Sequence, residues 1–294
     1  MNVPLITSPC TGVCKLDAET QWCIGCGRSG DELAQWGSGP EDWRQAVWDA
    51  IPERLARFGV TSHRLPWTTD DIRAFVRRSL QQSLGRWVAG VPGASAQFAA
   101  NAADATQVFD DGSDLVAQHA GGTIRFVLDD DVRALGFDRS AGWSGHGIVM
   151  LVVKRERRWP ARAPGIADLG PAAEGRRRFD LGLARKDCRA VVAVPEGPAA
   201  AAMTGLCGSP FADAAPAVRA ALQGPGQSCG IETALGQITV KGPLVWTDQV
   251  APNGTTTLQV SPGELALNQN MPVGLEVPRA YRPGAVFYPN PSLT

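Results

Sequence analysis

No stretch of this sequence stays apolar for long. Its longest uninterrupted apolar run, Ile148–Val153, is six residues, against the roughly 20 that a membrane-spanning helix needs. Residues 1–9 hold neither a basic n-region nor an apolar h-region, so no secretory signal is expected. Charge imbalance is missing too. A formal net charge of −1 excludes a protein that binds polyanions with its whole surface, although charge can still be concentrated locally. There is no internal repeat and no regular βαβ rhythm, which argues against a solenoid and a parallel doubly wound sheet. The seven cysteines are odd in number. In a chain with no export signal this favours reduced thiols and metal ligation over disulfides, and a cytoplasmic, soluble protein with no membrane partner.

What is present points to a packed α+β fold. Hydrophobic residues make up 44% of the chain, enough for a core, while 33 glycines and 22 prolines indicate many turns. Two parts are expected: a four-cysteine metal-binding module over residues 1–60, made of a knuckle plus a helix, and a larger strand-rich α+β domain over residues 66–294.

The strongest chemical signal is the run from Cys10 to Cys26. Cys10 and Cys14 are spaced C-x3-C, eight residues intervene, and Cys23 and Cys26 are spaced C-x2-C. A C-x2-C turn can aim both sulfurs at one ion, and Gly27 behind it permits the positive φ that such a turn often uses. Four converging thiolates suit a structural zinc ion and an iron–sulfur cluster equally, and spacing does not separate the two. After the knuckle, Asp31–Trp36 reads as a helical turn. Pro40, Glu41 and Asp42 then open a helix whose apolar face is Trp43, Ala46, Val47, Ala50 and Ile51. Pro52 is expected to kink or restart it, and Gly59 to end it. A knuckle this small has almost no core of its own, so metal and helix together must supply its fold energy.

These residues carry a resemblance. SPCTGVCKLD, WCIGCGR, ELAQW and IPERL, in that order over about residues 6–58, resemble a short bacterial four-cysteine domain of unknown function labelled a predicted Fe–S protein. The resemblance implies that Cys10, Cys14, Cys23 and Cys26 are the ligands, and implies no activity. FDLGLARKDC, LGQITV and PGAVFYP are similar to another uncharacterised bacterial domain. That domain carries histidines where this chain has Thr255, Thr256 and Thr257, so any site they form is not expected here.

In the larger part, residues 60–67 read as a linker, and Thr68 or Thr69 caps a helix lined by Ile72, Phe75, Val76, Leu80 and Leu84. Strands are expected at 115–120 and 123–128 around Gly121-Gly122, at 147–153, at 188–194, at 231–233 and 237–240, and at 244–250 and 255–260 around Asn253-Gly254. Helices are expected at 130–135, 199–206, 210–222 and 262–267, and the proline-rich tail from Arg279 is expected to wrap over the surface.

Candidate sites outside the cysteine cluster are weaker. His146 in GWSGHGIVM is a possible ligand or base; His119 and His63 carry little weight. The same stretch fails as a nucleophile elbow because its spacing is short and a strand follows it. Cys188, Cys207 and Cys229 read as core packing. Asp129, Asp130 and Asp131 read as a helix cap. Residues 154–189 hold eleven bases and five acids, a local charge of +6. Arg155, Arg157, Arg158, Arg176, Arg177 and Arg178 there are possible anion-binding residues, with Trp159 and Phe179 able to stack on bases. A solvated loop is the commoner explanation. The function expected is a structural four-cysteine centre, zinc or iron–sulfur, that docks or stabilises the module on a partner or on the chain's own large domain. The alternatives are an iron–sulfur redox protein or enzyme with its active site in the large domain, and nucleic-acid binding through the knuckle and the basic segment.

Overall fold

The computed structural model describes residues 7–60, 62–91, 93–100, 105–137, 147–157, 159–160, 163–185, 188–223, 228–241, 245–246, 256–260 and 277–290. The fold is α+β: a small amino-terminal segment with helices, followed by a strand-rich domain of two sheets. Among the described residues no helix is long and apolar enough to cross a membrane.

The amino-terminal segment contains α1 (Gly30–Gln35) and α2 (Glu41–Ala56). Ser29 and Glu32 cap α1 reciprocally in a capping box. One face of α2 buries Val47, Trp48, Ile51 and Leu55, with Trp36, Trp43, Phe58 and Val60 packed around them. The helix runs on through Pro52 without restarting. A proline removes one N–H and crowds the preceding turn, but the aromatic cluster holds both halves of the helix on one core.

In the large domain, β1 (Ser62–Arg64), β7 (Val132–Phe137), β8 (Ile148–Lys154), β16 (Tyr281–Pro289), β2 (Gly85–Val91), β3 (Ala94–Ala99), β15 (Thr257–Val260) and β14 (Val245–Trp246) form the first sheet, in that order. The second runs β4 (Gln107–Asp111), β5 (Asp114–His119), β6 (Gly122–Val127), β13 (Gly236–Lys241), β12 (Ser228–Thr233), β11 (Cys188–Pro195), β10 (Arg176–Arg185) and β9 (Ala167–Ala172). The sheets stack with β2 and β3 against β11, β12 and β13. Trp87 of β2 meets Phe126 of β6 across the interface at 4.9 Å between ring centroids. Phe75 of α3 (Thr69–Gln81) closes one end of this core, edge-on to Trp87 and Phe287. At the other end α4 (Pro198–Thr204) and α5 (Phe211–Leu222) bury Met203, Val218 and Leu222.

Strand β8 shows why its sequence reads as a continuous apolar run. Val149, Leu151 and Val153 enter the core between the sheets, while Ile148, Met150 and Val152 enter a second core on the outer face, with Leu135, Phe137, Tyr281 and Val286. A strand buried on both faces has no polar alternation.

Four expectations are corrected. Residues 130–135 are strand, not helix: Val132 and Ala134 alternate with Leu135 and Phe137 between the two cores, and Asp129–Asp131 form the turn before β7. The proline-rich tail is not surface wrapping. Its residues 281–289 are β16, central in the first sheet, and the register shifts between Pro283 and Ala285. Proline is tolerated in such a strand at a bulge, where the ladder is already interrupted. The expected linker contains β1, which pairs Arg64 with Leu135. The 119–122 turn is displaced by one residue, with Gly122 in the ladder opposite His119. The expected turn at Asn253-Gly254 and the helix at 262–267 lie outside the described residues.

Candidate functional site

The cysteine-bearing residues form a short hairpin. Leu16 and Cys23 make one antiparallel bridge and Trp22 and Ser29 another. Ile24 N–H donates to Lys15 O at 2.9 Å and Gly27 N–H to Cys23 O at 2.7 Å, which turns the C-x2-C knuckle; Gly27 has φ of 71°. Cys14 also takes a positive φ, 39°, unusual for a residue with a side chain. The two cysteine arms are tied directly: Thr11 Oγ1 donates to Gly25 O at 2.8 Å. The approach is so close that a Cβ on Gly25 would stand 2.5 Å from Val13 Cβ.

The sulfurs fall into two pairs. Cys10 and Cys14 share a hydrogen bond, and the neighbouring Cys10 pushes the Cys14 thiol up, with a smaller push from Cys23. Burial pushes the Cys23 thiol up, but N–H groups of Gly25, Cys26 and Lys15 aimed at its sulfur outweigh burial and leave it below the usual thiol range. Cys26 is held above that range by burial, against bonds from Arg28. None of these four cysteines is in a disulfide. Among the described residues, no group of three or more His, Cys, Asp or Glu side chains is gathered tightly enough to hold a metal ion as placed. The two arms abut through the Thr11–Gly25 bond.

Arginines surround the knuckle. Arg28, 4% exposed, stacks over Trp36 at 4.8 Å and donates from Nε to Cys26 Sγ at 3.5 Å. No carboxylate pairs with it among the described residues. Arg54 of α2 donates to Gly27 O at 3.1 Å and forks onto Glu32 at 2.6 and 3.1 Å, so one side chain binds helix, knuckle and α1 cap together. The segment also touches the first sheet. Tyr281 OH donates to Cys10 O at 2.9 Å, and Arg64 donates to Ser8 O and to Thr7 Oγ1. Sequence reasoning missed Arg28, Arg54, Arg64 and Tyr281. Arg28 stands in the WCIGCGR motif itself, and its place directly after the knuckle was the available signal.

Residues 8–55 match a family of proteins of unknown function, DUF1289, and residues 71–294 match a family of unknown function, DUF6925. The chain belongs to the DUF6925 family. No curated protein and no solved structure matches it.

Within the DUF6925 part, the basic segment is not a solvated loop. Residues 167–172 and 176–185 are the strands β9 and β10, and the described arginines are bonded to protein. Arg155 donates to Arg279 O, Arg157 to Ala234 O and Asp129, and Arg176 to Ser228. Arg177 pairs with Asp168 and Glu196, and Arg178 with Glu232. Arg158 and His146 lie outside the described residues. His119 is buried between Phe98 and Thr256, with Gly121 N–H donating to its Nδ1. Cys229 is a core cysteine whose thiol burial pushes up to about 11. Cys207, expected in the core, is exposed at the end of α4. Among the described residues of the DUF6925 part, no group of three or more His, Cys, Asp or Glu side chains gathers to hold a metal ion.

Proposed function

We propose that Cys10, Cys14, Cys23 and Cys26 form one four-thiolate metal centre, and that this centre is structural: it closes the hairpin and holds the DUF1289 segment on the chain's own large domain. The observation that carries this reading is Arg28. A buried guanidinium needs a compensating anion, and the group facing it is the sulfur of Cys26. The N–H groups on Cys23 favour a thiolate in the same way. This donor set fits zinc or an iron–sulfur cluster, either of which would crosslink the two arms. Four thiolates fill a tetrahedral sphere and leave no position for substrate, which makes the centre structural rather than catalytic. Docking follows from Cys10, whose sulfur would bind the metal while its carbonyl accepts from Tyr281.

Metal and acid-labile sulfide analysis of anaerobically purified protein tests this. Zinc in one equivalent, or iron with matching sulfide, is expected. Protein lacking both overturns the centre. A brown protein bleached reversibly by dithionite would favour the redox alternative. Retention of the native fold by the Cys23→Ser, Cys26→Ser double variant would overturn the structural role.

A further inference from the structure

The outer face of the second sheet carries a cleft of about 500 Å³, within the rough 300–1,000 Å³ range of small-molecule sites. Its floor is set by register. Ile231, Ile238 and Ile124 point to the core between the sheets, so their neighbours Glu232, Gln237 and Arg125 point out. These three stand opposite one another in a single row across β12, β13 and β6. At about 4.8 Å per strand the row spans roughly 10 Å. Trp159, following β8, stands on one wall, and Ala172 and Ala173, at the end of β9, on another.

The arginines of this cleft are taken up by the protein itself. Arg157 pairs with Asp129 and donates to Ala234 O at 3.0 Å. Arg178 pairs with Glu232 at 3.2 Å and donates to Leu169 O at 3.1 Å. Arg125 carries three carboxylates: Asp111 at 2.7 Å, Asp114 at 2.9 Å and Glu174 at 3.5 Å. Three guanidiniums against five carboxylates leave a net charge of −2. The excess lies at the Arg125 end of the row, where one cation serves three acids. At the other end, one oxygen of Glu232 meets Arg178 and the second is buried without a partner. Such an oxygen is costly to leave without a donor, and an incoming N–H removes that cost. Gln237, midway, donates to Thr239 Oγ1 at 2.7 Å and offers a ligand its amide oxygen. Acceptors therefore stand at both ends and in the middle of the row, with an indole and small apolar side chains beside it.

We propose that this cleft binds a linear aliphatic polyamine, a methylene chain carrying several ammonium groups. One ammonium faces Glu232 and another the carboxylates around Arg125. The methylenes between them lie along the apolar walls, and the ring face of Trp159 adds attraction for a cation. A bare metal ion does not span a row of roughly 10 Å, and an anion meets a field of the wrong sign. Neither the cysteine centre nor its metal enters this inference.

Isothermal titration of the full-length protein at constant ionic strength with spermidine, propylamine, magnesium chloride and sodium succinate tests it. Spermidine is expected to bind at least about tenfold more tightly than each of the other three. Glu232→Gln and Asp114→Asn keep the shape and remove one charge from each end of the row. Each should weaken spermidine binding about tenfold. Trp159→Ala should weaken it about threefold. Circular dichroism confirms that the variants fold. No spermidine binding at millimolar concentration would overturn the proposal. So would propylamine, magnesium or succinate binding as tightly as spermidine, or spermidine affinity unchanged in the folded Glu232→Gln and Asp114→Asn variants.

Discussion

Arg28 offers the sharpest test of the thiolate centre. In Arg28→Met the guanidinium is replaced by an apolar chain of similar reach, still able to lie on Trp36. What disappears is a cation 3.5 Å from Cys26 Sγ. A hydrogen bond to a charged group contributes about 1.5–3 kcal/mol, so metal affinity should fall roughly 10- to 100-fold. Fold stability responds differently. The lost cation–π contact, about 0.5–2 kcal/mol, is opposed by relief from burying a guanidinium, so the melting temperature should move little. Affinity is therefore the better readout, measured by competition with a chromophoric chelator on metal-loaded protein. Arg28→Lys keeps a charge but loses the planar fork, and should fall between wild type and Arg28→Met. If Arg28→Met holds its metal as tightly as wild type, the guanidinium does not serve the sulfur and the reasoning fails.

Three further outcomes are expected. Tyr281→Phe removes the donor to Cys10 O; it should cost about 1–2 kcal/mol and raise amide exchange selectively at residues 8–14. Gly284→Ala places a Cβ 2.6 Å from Leu235 Cβ and 2.8 Å from Leu151 O, where the sheets approach at the β16 bulge; it should cost about 3 kcal/mol in denaturant melts. Two glutamates should act on pH stability with opposite sign. Burial pushes the Glu32 carboxyl up, but Arg54 and Ser29 outweigh it and hold it below its ordinary 4.5. Its contribution is present above that value and is lost as pH falls through the lower folded value. Glu232 is held above 4.5 by burial, so its stabilising protonated form is lost as pH rises from 4.5 through the folded value. Glu32→Gln should flatten the acid limb of a stability–pH profile, and Glu232→Gln should remove a decline above pH 4.5.

The C-x2-C knuckle and the helices after it were legible because their signals are local. Spacing, the acids of the first helical turn and a Gly after the knuckle all act within a few residues. Strand β8 was legible as apolar, although its two cores were not. What failed depended on distant partners. Nothing near Pro283 says that β8 and β2 flank it, and a proline-rich segment reads as loop until the bulge is seen. Residues 130–135 began with acids suited to a helix cap, and three apolar residues in six, Val132, Ala134 and Leu135, do not separate a period of 2 from one of 3.6. β1 was too short to register. The arginines of 154–189 showed as charge; their carboxylate partners lie up to 54 residues away, as in Arg178 and Glu232.

The same distinction explains how the two parts of the chain meet. The first segment carries its own small apolar cluster of α2 and the aromatic side chains around it, too little to fix a hairpin of 17 residues. It gains the rest from outside. Tyr281 and Arg64 come from strands that exist only once the first sheet is paired, and both reach backbone atoms of residues 8–10. Backbone acceptors are indifferent to sequence, so docking constrains where the first cysteine arm runs without constraining its chemistry. Cys10 is thereby fixed from the sheet side and Cys26 from the Arg28 side. A metal between them would couple the two anchors, and its removal should loosen the Tyr281 contact before it loosens α2.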